Sequence, residues 1–273
     1  MFTTSYISST AKIGQNVTIK ENVIIGDNVV IGDNSYIDYN VIIRDNVKIG
    51  EHAFIGARCI LGEFNMGFIQ DREAYVNPAL IIGRNAVLRS ETIIYAGSVI
   101  GDNLQTGHRV TVREKTQAGK NFRVGTLSDI QGDCIIGDYV NLHSNVHIGQ
   151  KSEIANYVWI FPYVVLTNDP TPPSNNLLGV KVEEFAVIAT MSVILPGVTI
   201  GAGALIGAGS IVGKNVTAEM VVIGNPSKEI CHNSKIKNKA TGEQVYPWQN
   251  NFSRGMPWEN LGYNAWLKNS IEK

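Results

Sequence analysis

A carboxylate and an imidazole in the middle of the chain could act together as a general base. Asp129 and His147 are eighteen residues apart, and a carboxylate beside an imidazole orients the ring and stabilises its protonated form. Such a pair would remove a proton from an attacking nucleophile. His143 is the alternative base, and His108 is a third histidine in the same part of the sequence.

Aromatic and basic residues lie close to these histidines in the sequence. Trp159, Phe161 and Tyr163 alternate with smaller residues, and an aromatic surface suits a nucleobase or the face of a sugar. A guanidinium group matches the oxygens of a diphosphate. The arginines that could meet a diphosphate are Arg109, Arg113 and Arg123.

A six-residue repeat must position these side chains. An aliphatic residue recurs at every sixth position over residues 7–61, 82–166 and 182–212, and only Thr106 and Ala118 depart from the pattern. A small or β-branched residue lies four positions later, which is the alternation of a short strand. Gly and Asn recur between these positions and tolerate the left-handed backbone of a corner. Each unit is therefore predicted to form one strand and one corner.

The repeat predicts an all-β protein, because a period of six is too short for a helical repeat and is typical of a parallel β-helix. The pattern resembles that of the hexapeptide-repeat acyltransferases. This resemblance covers residues 7–226 and implies a left-handed β-helix with three hexapeptides per triangular coil. Because stacked strands lie ~4.8 Å apart, about ten coils would make a prism ~48 Å long.

The predicted organisation has two parts. Residues 1–226 form the β-helix, which loops interrupt at residues 62–81 and 167–181. Both loops are expected to leave the same corner, and long loops in a compact repeat are usually functional. Residues 227–273 are expected to form a short hairpin and then a helix that begins near Pro257.

Stacking brings residues eighteen apart onto adjacent coils. Asp129 would therefore lie within side-chain reach of His147, with Val165 above the pair, and Trp159 would lie one coil above Asn141. The two cysteines at inward positions, Cys59 and Cys134, are interpreted as small core residues rather than redox groups.

The segments NLHSNVHIGQ at residues 141–150 and WIFPYVVLTNDPTPPS at residues 159–174 resemble the nucleotide-sugar N-acetyltransferase branch of this family. The resemblance implies a homotrimer with sites between subunits and an acceptor amine on a nucleotide-linked deoxysugar. We expect a dTDP-3-amino-3,6-dideoxyhexose first and a UDP-linked amino sugar second, because the repeats begin at Ile7 without a preceding α/β domain. The substrate-binding candidates are His108, Asn141, Trp159, Tyr163, Asn168 and Asp169.

The last run of repeats ends in VVIGNPSK at residues 221–228 and resembles the coenzyme A site of the family. The resemblance implies acetyl-CoA as co-substrate, with its pantetheine arm held by main-chain amides near Thr190 and Ala208. Lys214 and Lys228 could bind its adenosine phosphates as point charges. No metal is expected.

Two proton routes and three other functions stay open. The histidine could remove the proton, or the amine could bind neutral and the departing thiolate could take the proton last. The alternatives are an O-acetyltransferase of the same fold, a γ-type carbonic anhydrase with zinc on His108, His143 and His147, and a scaffold without catalysis. The carbonic anhydrase is disfavoured because three residues separate the last two histidines where that family has four.

Composition excludes several other classes. The 23 Lys and Arg residues against 24 Asp and Glu residues argue against a general nucleic-acid binder. The sequence has no apolar run of ~18 residues, so no membrane span is expected. Residues 1–14 lack the features of a secretory signal. Together with three sparse cysteines, this favours the cytoplasm.

Overall fold

The computed structural model describes residues 5–271; residues 1–4 and 272–273, at the outer ends of the two predicted parts, lie outside the described residues. Three sheets run along the chain, and every strand of the repeat pairs in parallel with the strand one coil away. The predicted parallel β-helix is therefore confirmed. The sheets contain 11, 10 and 12 strands, which agrees with the expected number of coils.

The strands of the repeat are mostly two residues long. The first sheet contains Tyr6–Ile7, Ile24–Ile25, Ile42–Ile43, Ile60–Glu63, Ile93–Tyr95, Thr111–Val112, Asp129–Ile130, His147–Ile148, Val165–Leu166, Val193–Ile194 and Ile211–Val212. The second sheet contains Lys12–Ile13, Val30–Ile31, Val47–Ile49, Leu80–Ile82, Val99–Ile100, Gln117–Ala118, Ile135–Ile136, Glu153–Ile154, Lys181–Val182 and Thr199–Ile200. The third sheet contains Thr18–Ile19, Tyr36–Ile37, Phe54–Ile55, Val87–Leu88, Gln105–Thr106, Arg123–Val124, Asn141–Leu142, Trp159–Ile160, Val187–Ile188, Leu205–Ile206, Met220–Ile223 and Lys228–His232.

The core is the continuous column of inward aliphatic side chains. From Ile25 onward nearly all of them are buried, and each contributes roughly 1.5–3 kcal/mol to folding. Thr106 is a polar exception to the repeat and is also buried. Its hydroxyl lies 3.0 Å from the Thr92 hydroxyl and accepts a hydrogen bond from the backbone N–H of Arg89 at 3.1 Å. These partners make a hydroxyl tolerable inside the column.

Asn and Gly serve different purposes at the corners. Asn16, Asn28 and the equivalent residues have the left-handed backbone, with φ between 55° and 66° at most of these positions. The Gly that follows the inward residue does not need this conformation. At Gly56, an added Cβ would lie 2.8 Å from the backbone nitrogen of Ser90 on the next coil. Its role is close approach between coils, so the expectation that Gly supplies the left-handed backbone there is wrong.

Both loops connect the first sheet to the second, as predicted. The first loop contains a short helix, Met66–Gln70, whose N-cap side chain is Asn65. Phe64, Phe68 and Tyr75 pack their rings together within this loop. The second loop has no regular element between the strands that end at Leu166 and begin at Lys181.

The C-terminal part packs on the side of the β-helix. A bridge between Lys237 and Gln244 forms the predicted hairpin, and 3₁₀ turns lie at Asn233–Lys235 and Trp248–Asn250. The helix spans Tyr263–Ile271, so its predicted start near Pro257 is wrong. Trp258 is fully buried among aromatic rings, and its carbonyl accepts from the backbone N–H of Gly262 in a turn. Gly262 has a left-handed φ of 76°, which interrupts a helix at that position.

Two further observations concern the later strands and the helices. Lys228–His232 runs antiparallel to Met220–Ile223, an arrangement that the repeat did not predict. In residues 5–271, no helix has the length and apolar character needed to cross a membrane.

Candidate active site

Asp129 and His147 lie opposite each other on adjacent strands of the first sheet. His147 Nδ1 is 3.2 Å from Asp129 Oδ2, so the predicted contact is present, and Val165 lies one coil above. Partial burial would raise the pKa of Asp129. Hydrogen bonds from His147 and Gln131, with the charges of His147 and Arg113, outweigh that effect and lower the pKa below its usual value.

A groove lies on the outer face of the third sheet and on the corner that leads to the first sheet. Its cavity volume is about 400 Å³. Among the predicted site residues it brings together Asn141, His143 and Trp159. Asp129 and His147 face outward from the first sheet and are not part of its lining.

His143 belongs to a column of corner residues in which each follows an inward aliphatic position. The column places Gly107 and Gly125 on the two coils before His143. A Cβ at Gly125 would collide with the backbone of His143 and Ser144. The groove floor between these positions is therefore bare backbone.

The His143 ring is stacked on Phe161, with ring centroids 4.6 Å apart and planes 16° apart. Burial lowers the pKa of His143, because the protonated ring loses hydration. The lowered pKa favours the neutral ring, which can accept a proton. This is the protonation state that a general base requires.

Arginines supply the charge of the groove. Arg123 extends from the third sheet into its lining, as a diphosphate contact would require. Arg109 instead pairs with Glu91 at 2.6 Å, and Arg113 pairs with Glu114 at 2.9 Å. These two predicted arginines are therefore occupied elsewhere.

Two groove arginines were missed by the sequence analysis. Arg89 is 54 residues before His143, which is three coils in the same column, so the repeat contained a signal for it. Arg254 comes from the C-terminal part, whose docking has no periodic signal.

The aromatic surface around Trp159 is partly covered by the C-terminal part. Phe252 and Trp248 contact the Trp159 ring edge-on, with centroids 5.5 and 6.1 Å away. Trp159 lies one coil above Asn141, as predicted. A second cavity of about 160 Å³ adjoins the groove, and its lining consists of Trp159, Phe161, Val187, Tyr246, Trp248 and Phe252.

The remaining substrate candidates lie outside the groove lining. His108 lies on the same corner, where its backbone N–H donates to Thr126 Oγ1 at 3.2 Å. Tyr163 is exposed. Asn168 accepts a hydrogen bond from Leu178 through its carbonyl. Asp169 accepts hydrogen bonds from Ser174 and Thr171, which lower its pKa and secure its own loop.

The coenzyme candidates divide between two edges of the prism. Thr190 and Ala208 occupy successive coils of the corner that also carries His143. Lys228 begins the antiparallel strand, beside Ile223 at the end of the same corner. Lys214 follows the strand Ile211–Val212 and lies on the corner between the first and second sheets. The structure therefore does not bring Lys214 to the edge that carries the other candidates.

A metal site has no support in the described part of the chain. No group of three His, Cys, Asp or Glu side chains in residues 5–271 could hold a metal ion. Two of the histidines that a zinc site would share are otherwise engaged, since His143 stacks on Phe161 and His147 contacts Asp129.

Comparisons with known sequences cover only the first coils. The family profile described as the GMPPB C-terminal domain matches residues 1–66, which is less than half of the chain. No curated protein sequence matches this chain significantly.

Several solved structures resemble the β-helix. One is LpxA, a UDP-N-acetylglucosamine acyltransferase from Bacteroides fragilis, at 19% identity over 85% of this chain and 74% of that chain, with a TM-score of 0.42. A serine acetyltransferase in complex with cysteine has 26% identity over 42% and 43% of the two chains, with a TM-score of 0.36. The acetyltransferase domain of PglB from Neisseria gonorrhoeae, in complex with acetyl coenzyme A, has 18% identity over 51% and 58%, with a TM-score of 0.34. With TM-scores below 0.5, these likenesses carry no argument about function.

Proposed function

We propose that the protein is an acetyl-CoA-dependent N-acetyltransferase of the hexapeptide-repeat type that acts on a nucleotide-linked amino-deoxysugar. The first candidate acceptor is a dTDP-3-amino-3,6-dideoxyhexose, and a UDP-linked amino sugar is the second. One observation carries this proposal. One edge of the prism carries both a polar groove lined by His143 and, two coils beyond that residue, the main-chain N–H of Thr190, for which residues 5–271 supply no hydrogen-bond acceptor.

The amides suit the arm of coenzyme A. Earlier on this corner, the N–H of His108 donates to the Thr126 side chain one coil above. The residue one coil above Thr190 is Ala208, whose side chain has no acceptor. The Thr190 amide is therefore suited to a carbonyl of an incoming pantetheine arm.

The side chains on this edge also leave room for the arm. Along the column of His143, the next residues are Phe161, Ala189 and Gly207, in order of decreasing size. Small residues allow a ligand to approach the backbone closely. Acetyl-CoA would supply the activated acetyl group from this side of the groove.

His143 is the base that the groove favours. It would take the proton as the sugar amine attacks the thioester carbonyl and the C–S bond breaks to release the coenzyme thiolate, and its lowered pKa fits that role. His147 with Asp129 faces outward from the first sheet, so it could act only on a ligand that extends round the corner or is shared with a second subunit. If the departing thiolate takes the proton instead, the groove supplies most of the rate by orienting the amine against the thioester.

We further propose a homotrimer with shared sites that works in the cytoplasm without a membrane or nucleic-acid partner. The apolar outer residues of the first sheet support an assembly, because Ile24, Ile42, Ile60 and Ile93 form one outward column. An extended apolar surface of this kind is usual at interfaces.

A thioester-release assay across dTDP- and UDP-linked amino sugars tests the proposed function. We expect release of the coenzyme thiol with at least one amino sugar and none with the matching sugar that carries hydroxyl in place of the amine. Release with the hydroxyl sugar alone would favour the O-acetyltransferase. An absence of release with every acceptor, together with no binding of acetyl-CoA, would reject acetyl transfer.

A further inference from the structure

We propose that Arg89, Arg123 and Arg254 bind the diphosphate of a nucleoside diphosphate in the groove, and that the C-terminal part completes this site. The inference rests on the proposed function, because it assigns a place to the nucleotide of the acceptor. It adds a defined anion site and a role for the last part of the chain.

The three arginines carry positive charge that no carboxylate in the described part of the chain neutralises. None of the groove-lining residues has a carboxylate. No ion pair in residues 5–271 involves Arg89, Arg123 or Arg254, whereas Arg84 pairs with Asp102 at 3.0 Å and Arg109 pairs with Glu91. A concave surface with one sign of charge attracts an oppositely charged ligand.

The three arginines reach the groove from three different parts of the structure: a corner, the third sheet and the C-terminal part. Arg89 is at one end of the column that leads through Gly107 and Gly125 to His143. At ~4.8 Å per coil, Arg89 and His143 are about 14 Å apart along the axis. Arg123 extends from the third sheet on the same coil as Gly125, two residues before it in the sequence. A ligand between them would meet guanidinium groups from the corner and from the sheet.

The C-terminal part brings the third arginine into place. Gly255 packs against the Arg123 guanidinium so closely that an added Cβ would lie 2.7 Å from Nη2. The preceding residue, Arg254, lines the same groove. Trp258, only a few residues further on, is fully buried. This anchor fixes the segment that presents Arg254 beside Arg123.

The adjoining aromatic cavity points to a nucleoside rather than to a simple phosphate. Trp159 lines both the groove and this cavity, so the two spaces lie next to each other at its ring. The other walls include Phe161, Tyr246, Trp248 and Phe252. Flat aromatic walls suit a nucleobase, and the arginines lie where an attached diphosphate would extend.

A diphosphate could come from the sugar nucleotide or from coenzyme A, which also contains one. Arg123 is three coils, and Arg89 five coils, before the coil that carries Thr190, the first of the coenzyme candidates on the same edge. We therefore assign the arginines to the sugar nucleotide. Separate titrations with dTDP and with coenzyme A distinguish the two sources.

Isothermal titration of the full chain with dTDP, without acetyl-CoA, tests the site. Arg123→Ala and Arg254→Ala should each weaken dTDP binding about tenfold or more, because each removes charge-assisted hydrogen bonds. Arg123→Lys should recover part of the affinity, since it keeps the charge and loses the paired donors. Arg84→Ala is the matched control, and its dTDP affinity should equal that of the unchanged protein. Circular dichroism would verify that each variant is folded.

The possible outcomes separate this inference from the proposed function. Equal dTDP affinity in folded Arg123→Ala, Arg254→Ala and unchanged protein would overturn the assignment of the arginines to the diphosphate. Arginine variants that lose coenzyme A binding and keep dTDP binding would also overturn it, because the site would then belong to the coenzyme. Arginine-dependent dTDP binding in a protein that transfers no acetyl group would support the site while rejecting the proposed function.

Discussion

The imidazole of His143 is stacked on the ring of Phe161 one coil further along the same corner, with 4.6 Å between ring centroids. Burial beside this ring lowers the pKa of His143. Because of this lower pKa, the His143 ring stays neutral down to a lower pH than an ordinary histidine. We therefore expect the acid limb of kcat/KM to lie below pH ~6.5, the ordinary value for histidine.

Two substitutions test this role of His143. His143→Asn should lower turnover by ~10²–10⁴-fold if the ring is the general base. Phe161→Ala should expose the ring and move the acid limb of kcat/KM upward toward the ordinary value. The pH profile of the folded variants is the measurement. Full turnover in His143→Asn would instead favour proton transfer to the thiolate.

The Asp129–His147 pair is expected to contribute to stability more than to turnover. The fold lowers the pKa of Asp129, so the pair's contribution is present above the unfolded value of ~3.9 and is lost as pH falls through the folded value. Because both side chains are partly exposed, Asp129→Asn should cost only about 1 kcal/mol or less. Denaturant unfolding at pH 7 and at pH 3 measures the difference.

The same pair allows a double-mutant test. Asp129→Asn with His147→Asn should be no less stable than the worse single variant, because the two groups act as a unit. Asp133→Asn, which breaks the exposed pair with Lys151, is the control for a simple surface charge.

His147→Asn should retain turnover within ~10-fold when His143 is the base. A loss as large as that of His143→Asn would show that His147 takes part in proton transfer.

Lys228 should matter more for acetyl-CoA than Lys214. Lys228 lies at the end of the edge that carries Thr190 and Ala208, and Lys214 lies on another corner. Since both lysines are exposed, their combined contribution should be roughly 1–2 kcal/mol, most of it from Lys228. Measuring the Michaelis constant for acetyl-CoA in Lys228→Ala and in Lys214→Ala compares the two contributions. An unchanged constant in both variants would remove the lysines from the coenzyme site.

Assembly is expected through the first sheet. Light scattering at micromolar concentration should give three times the mass of one chain. Ile24→Glu places a charge on the outward apolar column and should weaken assembly. Ile81→Glu is the matched control, because Ile81 is similarly exposed but faces outward from the second sheet. A monomer for the unchanged protein would contradict the trimer.

Most of the fold could be predicted because the repeat encodes it directly. A strict six-residue period fixes both the inward column and the stacking of residues eighteen apart, which is why the Asp129–His147 contact was predictable. Arg89 could have been found by the same rule. The period says nothing of side chains that fold onto the prism from outside it.

The C-terminal part shows where this reasoning ends. Arg254 reaches the groove through burial of Trp258 against aromatic residues far away in the sequence. The turn at Trp258 and Gly262 also replaces the first turn of the predicted helix. Local propensity could not anticipate either result, because long-range packing decides both.

The most direct test of the central claim is the identity of the reaction product. The protein would be incubated with acetyl-CoA and a dTDP-3-amino-3,6-dideoxyhexose, and the sugar product would be analysed by mass spectrometry and NMR. The proposed function predicts one added acetyl group on the sugar nitrogen, as an amide that resists hydroxylamine, with one coenzyme thiol released per product. An acetyl ester cleaved by hydroxylamine, or no acetylated product with any nucleotide-linked amino sugar, would contradict it.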